Sequence, residues 1–258
     1  MSSQSSVVAL ISHPIIRVVM ITIIGTGHVF NLAEPVSFIV KNTWPDAVLI
    51  ELDKARYESM MNDYNGVKPK SEQNMSTIYA NTAKYQQKMS EQSGSKLGSE
   101  FLAAVNTGKL VNAEIIPIDT DAMRVMNEMW DEMSAGERFR YRVSSFKDSF
   151  GGIKKVRSTH KKFADNEEDY VENMRKRYPT LVRKLIDERN VYMADQINAL
   201  TGKYHNMVVV VGDAHVEGLC KLINDEHIRK IRLNDIMDRE KFNKIRQMVW
   251  DGRESFES

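Results

Sequence analysis

The stretch MVVVVGDAH, residues 207–215, decides how this chain reads. Met207 and four consecutive valines run without a polar break into Gly212, and His215 follows. A continuous apolar run closed by glycine is the pattern of a strand buried on both faces, which occurs in parallel sheets covered by helices. The same unit occurs near the start of the chain. Residues 15–24 (IIRVVMITII) lead into Gly25-Thr26-Gly27-His28. A helix and a second strand follow each copy: 47–50 (AVLI), ending at Glu51, in the first, and 228–233 in the second. Strands that alternate with helices predict parallel β-α-β units.

The expected fold is therefore α/β, with a mainly parallel central sheet flanked by helices. Two strand-Gly-x-x-His-helix-strand units are separated by a long helical insertion, about 65–112 and 121–205, within a single domain spanning 1–258. Pro35–Asn42 reads as a short helix, and Asp53 as the cap of a helix through Met61. Ser99–Val111 also reads as helix. Residues 114–118 (EIIPI) form a short strand weakened by Pro117. Asp121–Met133 is helical, with Met123, Met126, Trp130 and Met133 on one stripe that reads as core. Pro179 suits the first position of a long helix to about Leu200. A last amphipathic helix covers roughly 238–249.

Composition narrows the function. The 258 residues are 42% hydrophobic, which excludes wholesale disorder. One cysteine, Cys220, excludes an internal disulfide framework and a cysteine-rich zinc site, so any metal must be held by His, Asp or Glu. A net charge of +1 argues against a dedicated nucleic-acid binder. Residues 138–162 carry nine basic side chains against Asp148 alone, interleaved with Phe139, Tyr141, Phe146 and Phe150. This strip reads first as a solvated helical face, and second as a contact for the anionic lipid heads of a membrane surface or for nucleic acid. The apolar run Val7–Ile24 is broken by His13, Pro14 and Arg17, so neither a spanning helix nor a leader is expected, and a cytoplasmic protein is.

Sites in open α/β sheets lie at the carboxyl ends of the strands. His28, Glu51 and His215 all fall there. Glu51 ends a fully apolar strand, where an ionised carboxylate must be paired, hydrated or metal-bound. Strand-helix-strand partners are usually adjacent, so the strand ending at Glu51 is expected beside the strand leading to His28. Two imidazoles and a carboxylate make a recurrent catalytic metal set. Each Gly-x-x-His taken alone is equally a helix cap or a backbone contact, and only the pair with Glu51 points to a site. The other histidines (His13, His160, His205, His227) read as surface. Arg189 falls in the apolar stripe Val182, Ile186, Met193, Ile197, Leu200. A guanidinium facing a core needs an anion. That anion is Glu51 or Glu100 in a buried pair, or a catalytic carboxylate or developing oxyanion.

These residues resemble the TraB/PrgY family, which is related to the Tiki proteins. The opening pattern is carried by Gly25-Thr26-Gly27-His28-Val29, Pro45-Asp46 and Ile50-Glu51-Leu52 with Arg56. Gly98-Ser99-Glu100 and Ile118-Asp119-Thr120-Asp121 match a middle pattern, in which Thr120 replaces the usual Arg. Glu188-Arg189-Asn190-Val191-Tyr192 matches a late one, with Asn for Asp, and Val211-Gly212-Asp213-Ala214-His215 closes the series. The resemblance implies a metal-dependent hydrolase acting on peptide segments of a peptide or protein substrate. It implies Mn²⁺ or Co²⁺, whereas Zn²⁺ suits the same ligand types. His28, Glu51 and His215 would hold the metal, and Glu51, Arg189, Glu188 and Glu100 are the catalytic candidates. The alternative is a non-catalytic protein that sequesters or tethers peptides in the same cleft, as in pheromone shutdown. The methionine stripe and the insertion offer a surface for a homo-oligomer.

Overall fold

A computed structural model describes residues 19–27, 30–67, 98–148 and 167–254. In chain order the elements are β1 (Met20–Thr26), α1 (Ala33–Thr43), β2 (Ala47–Ile50), α2 (Lys54–Tyr64), α3 (Ser99–Leu110), β3 (Glu114–Pro117), α4 (Ala122–Glu132), α5 (Ala135–Asp148), α6 (Glu167–Arg177) and α7 (Pro179–Val182). A π-helical turn, Arg183–Asp187, joins α7 to α8 (Glu188–Leu200). Then come β4 (Asn206–Gly212), α9 (Asp213–Leu222), β5 (Ile228–Ile231), α10 (Leu233–Met237) and α11 (Arg239–Glu254).

The five strands form one sheet in the order β3-β2-β4-β1-β5, parallel throughout. The α/β architecture read from the valine runs is the one observed. The expected neighbour relation is not. β1 and β2 do not pair; β4, from late in the chain, lies between them and bonds both. The reason lies in the residues. β4 is the longest uninterrupted apolar run, and its centre has no exposed face, so it takes the middle of the sheet. β3 occupies one edge, and there a strand tolerates Pro117. The second unit's last strand stops at Ile231, because Leu233 already begins α10.

Alternate strand residues fill two cores. Val208, Val210, Val48 and Ile50 pack with α1, α3 and α11. Met207, Val209, Val211 and Leu49 pack on the other face with α8 and α9 through Met193, Ile197, Val216 and Leu219. Met126 and Met133 of the expected stripe are buried with Met129 in a smaller third cluster, joined by Trp130, Tyr141, Leu181 and Leu185, whereas Met123 is half-buried and outside it. The cluster covers the helices around the π turn. Among the described residues no helix is long and apolar enough to cross a membrane.

The packing of α3 on the sheet depends on a missing side chain. A Cβ at Gly108 would stand 2.7 Å from Ile115 Cδ1 and 2.9 Å from Val48 Cγ2. Helix propensity favours replacing this glycine by about 1 kcal/mol, but overpacking a fully buried strand costs about 1–3 kcal/mol. Gly108→Leu is therefore expected to destabilise by a net amount of about 1 kcal/mol, read as a lower urea midpoint with the m-value unchanged.

Candidate active site

The register of β1 and β4 sets Gly25 opposite Val211 and Thr26 opposite Gly212, so the two glycine turns open side by side at one sheet edge. The Thr26 hydroxyl donates to the Val211 carbonyl at 3.0 Å and closes that edge. Gly25 is required by its neighbour. A Cβ there would lie 2.1 Å from Asp213 Oδ1. Asp213 is buried beneath Arg232, which donates to it through Nε and Nη2 at 2.9 and 2.8 Å, and its Oδ1 also accepts the Leu233 N–H at 2.9 Å. The second residue of the Gly-Asp-Ala-His turn thus ties β4 to the start of α10.

Glu51 leaves β2 beside Gly212. Its Oε2 accepts the Gly212 N–H at 2.5 Å, and its Oε1 accepts from Arg189 Nη2. The same Oε1 lies 3.4 Å from Nε2 of His215. Asp119, just past β3, joins them. The Ile118 and Asp119 N–H groups bond the Ile50 and Leu52 carbonyls at 3.0 and 3.1 Å, which carries the Asp119 side chain to the same edge. There it accepts from Arg189 Nε at 3.0 Å and Nη2 at 2.6 Å, and from Arg56 Nη2 at 2.5 Å. Arg56 also holds Asp53, the cap of α2, at 2.6 Å. The chain Asp53–Arg56–Asp119–Arg189–Glu51 alternates in sign along the carboxyl ends of β2 and β3. His215, 4% exposed, completes it: its Nδ1 lies 2.7 Å from Asn190 Oδ1.

Burial works against the Glu51 charge. It is outweighed by the nearby His215 and Arg189 and by the Gly212 N–H, and the carboxyl is held well below the usual carboxylate range. Burial likewise disfavours the Arg189 cation, but Glu51 and Asp119 raise its pKa above the ordinary guanidinium value. Arg189 therefore remains charged and fully committed: Nε, Nη1 and Nη2 all have partners, Nη1 donating to the Leu185 carbonyl at 3.1 Å.

The π turn sets the direction of α8. It adds a residue to one turn, so helix positions before and after it face differently from the spacing expected of an unbroken helix. Lys184 turns into a cluster of Glu128, Glu132 and Glu188 at 3.3, 2.9 and 3.0 Å, while Arg189 and Asn190 turn together to the sheet edge. Hydrogen bonds that Lys184 donates to Glu132, then to Glu188, raise its pKa above the ordinary lysine range.

The structure brings together Glu51, Arg189 and His215 of the residues singled out from the sequence. Of the two anions considered for Arg189, Glu51 is the partner formed, and Glu100 is not. Glu100 is fully buried in the first turn of α3. Glu188 is not in the cluster; it is exposed and pairs with Arg183 and Lys184. His28 lies outside the described residues. Among the described residues no three His, Cys, Asp or Glu side chains converge as a metal-binding group. His227 is exposed and His205 half-buried, while His13 and His160 lie outside the described residues. Of the basic strip, Arg138 and Arg142 stack on Trp130, and Arg140 bonds the Arg177 carbonyl. The side chains of the other six fall outside the described residues.

Two members of the cluster were not singled out from the sequence. Asp119 carries the same signal as Glu51, an acidic residue at the end of an apolar strand. Asn190 adjoins Arg189, and its i, i+3, i+4, i+7 spacing to buried Met193, Ala194 and Ile197 is the signal that it faces the sheet. Residues 17–233 match the TraB/PrgY/gumN family along most of the chain. The chain belongs to that family. All the cluster residues named here lie inside the matched region. This TraB-family chain is also 27% identical over 232 residues to the uncharacterized protein MJ1365 of Methanocaldococcus jannaschii. The match covers 86% of this chain and 58% of that relative, so the chain spans less than two thirds of the relative's length.

Removing Arg189 leaves Glu51 and Asp119 buried without their shared cation, a loss of about 3–5 kcal/mol in comparable pairs. Arg189→Met is expected to fall in that range by urea unfolding, with part recovered in the double variant Arg189→Met/Asp119→Asn. Acid tests Glu51 separately. Because its pKa is lowered in the folded state, its contribution is complete above the unfolded value of about 4.3 and is lost as pH falls through the lower folded one. Glu51→Gln should flatten the decline of stability with acidification in that window.

Proposed function

We propose that this chain is a divalent-metal-dependent hydrolase that acts on peptide segments, with His215 and Glu51 as ligands and His28 as the third. The observation that carries the reading is the 3.4 Å separation of His215 Nε2 and Glu51 Oε1 at one sheet edge. Metal–ligand bonds of about 2.1 Å at a tetrahedral angle put two donors about 3.4 Å apart, so the pair fits Mn²⁺, Co²⁺ or Zn²⁺. Such an ion supplies a bound water acidic enough to attack at neutral pH and polarises the scissile carbonyl.

The residues divide the remaining work by their charge states. A carboxylate held well below its usual pKa is a poor proton acceptor at neutral pH, which favours Glu51 as a ligand over Glu51 as general base. Arg189 has no free donor directed at a developing oxyanion, so its part is to steady Glu51. Asp119 grips Arg189 through Nε and Nη2 and keeps it beside the carboxylate when Oε1 turns toward an ion. The Gly212 N–H fixes the other oxygen.

One observation favours a second reading. Arg189 already neutralises Glu51 without any ion, which is what a peptide-sequestering protein without chemistry would need. Two measurements separate the readings. Metal analysis should find a bound ion in the purified protein that is lost in His28→Ala and in His215→Ala, while circular dichroism stays unchanged. A peptide library incubated with the Mn²⁺-, Co²⁺- or Zn²⁺-loaded protein should yield cleavage products. Metal content equal in all three proteins removes the site, and binding without cleavage selects the sequestering protein.

A further inference from the structure

The His215 ring is flanked by two groups that restrict where its proton can be. On one side Arg189 Nη1 stands 3.2 Å from Nε2. A guanidinium only donates, so the neutral ring must present its Nε2 lone pair there. On the other side Asn190 Oδ1 stands 2.7 Å from Nδ1. Turning the Asn190 amide over would set its NH₂ against Nδ1, move the ring proton to Nε2 and oppose it to Arg189. For the neutral ring one combination satisfies all three side chains: the Asn190 carbonyl accepts from Nδ1–H, and the Nε2 lone pair accepts from Arg189 Nη1 beside Glu51.

The amide nitrogen of Asn190 is accommodated by Gly218, one turn further along α9 than Ala214. A Cβ at Gly218 would lie 2.1 Å from Asn190 Nδ2 and 2.9 Å from its Cγ. Next to the amide is a cavity of about 480 Å³ lined by Val171, Arg175, Ile186, Asp187, Asn190 and Gly218, among others. An amide pushed off its position therefore has space to enter without disrupting the sheet.

We infer that Asn190 is the positioning residue of His215: with the space left by Gly218, it fixes the Nδ1–H tautomer and leaves Nε2 unprotonated toward Arg189 Nη1, beside the Glu51 carboxylate. This does not rest on the hydrolase reading, and it holds for the protein without metal. It names the atom through which His215 acts, as ligand or as proton acceptor.

The test is nitrogen-15 NMR of the histidine side chains in the full, metal-free chain at about pH 8, where the two ring nitrogens report directly whether each is protonated. The His215 signals are identified by their loss in His215→Gln. The wild type should show a protonated Nδ1 and an unprotonated Nε2, with the Nδ1 proton protected from solvent exchange. Asn190→Ala should speed that exchange about fivefold or more and mix the tautomers. Gly218→Ala, which keeps the asparagine but displaces it, should do the same, and Asn190→Asp should restore protection. If Asn190→Ala does not fold, Gly218→Ala and Asn190→Asp decide. A wild-type His215 protonated on Nε2 overturns the inference, as does an Nδ1 proton equally protected after either alanine substitution. Neither result depends on metal uptake or peptide cleavage, so this inference and the proposed function fail separately.

Discussion

One guanidinium holds two buried carboxylates. Arg189 bonds Glu51 and Asp119, whose side chains are 7% and 0% exposed. An ion taken out of water loses several kcal/mol of solvation, and attraction offsets this only with close geometry and further hydrogen bonds. Both conditions are met. The Gly212 N–H serves Glu51, the Thr120 N–H and Arg56 serve Asp119, and the Leu185 carbonyl takes Nη1. The three ionic partners come from β2, the loop after β3 and α8, and Gly212 from β4. The arrangement forms only when the sheet edge and the π-turned helix are both in place. A buried ion pair of this kind stabilises little over apolar packing, but it allows one register and orientation.

The strand order explains why these groups meet. With β4 between β1 and β2, the backbone of Gly212 reaches Glu51 and the turn after it presents His215 to the same carboxylate. Had β1 and β2 been adjacent, Glu51 would have faced the first glycine turn and not the second. The paired turns are linked by Asp213, whose carboxylate fills the space that a side chain at residue 25 would occupy.

The valine run of β4, the isoleucines of β1 and the apolar β2 were legible because burial on both faces leaves no room for polar residues. Glu51 and Arg189 were legible for the converse reason: a charge in apolar surroundings needs a partner. The position of β4 was not, since adjacency along the chain favours pairing β1 with β2 and only the relative burial of whole strands overrides it. Asp119 was obscured by its strand, which has four residues, lies at the edge and includes Pro117. Asn190 was obscured by its polarity, because an amide beside a charged arginine reads as exposed, although its spacing to Met193, Ala194 and Ile197 puts it on the buried face of α8. Glu188 entered through resemblance and Glu100 as a possible partner for Arg189, and their places, an exposed ion network and the first turn of α3, follow from contacts no local pattern carries.

The central place of β4 also bears on how the polypeptide assembles during synthesis. β1 and β2 emerge early but leave a vacant slot, which only residues 206–212 fill. Until then two apolar strands have unsatisfied edges, and closing the sheet requires contacts separated by most of the chain. Long-range pairing of this kind is slow and leaves intermediates open to aggregation. A nascent chain stalled before β4 is thus open to chaperone capture, and closure of the sheet waits for the arrival of residues 206–212.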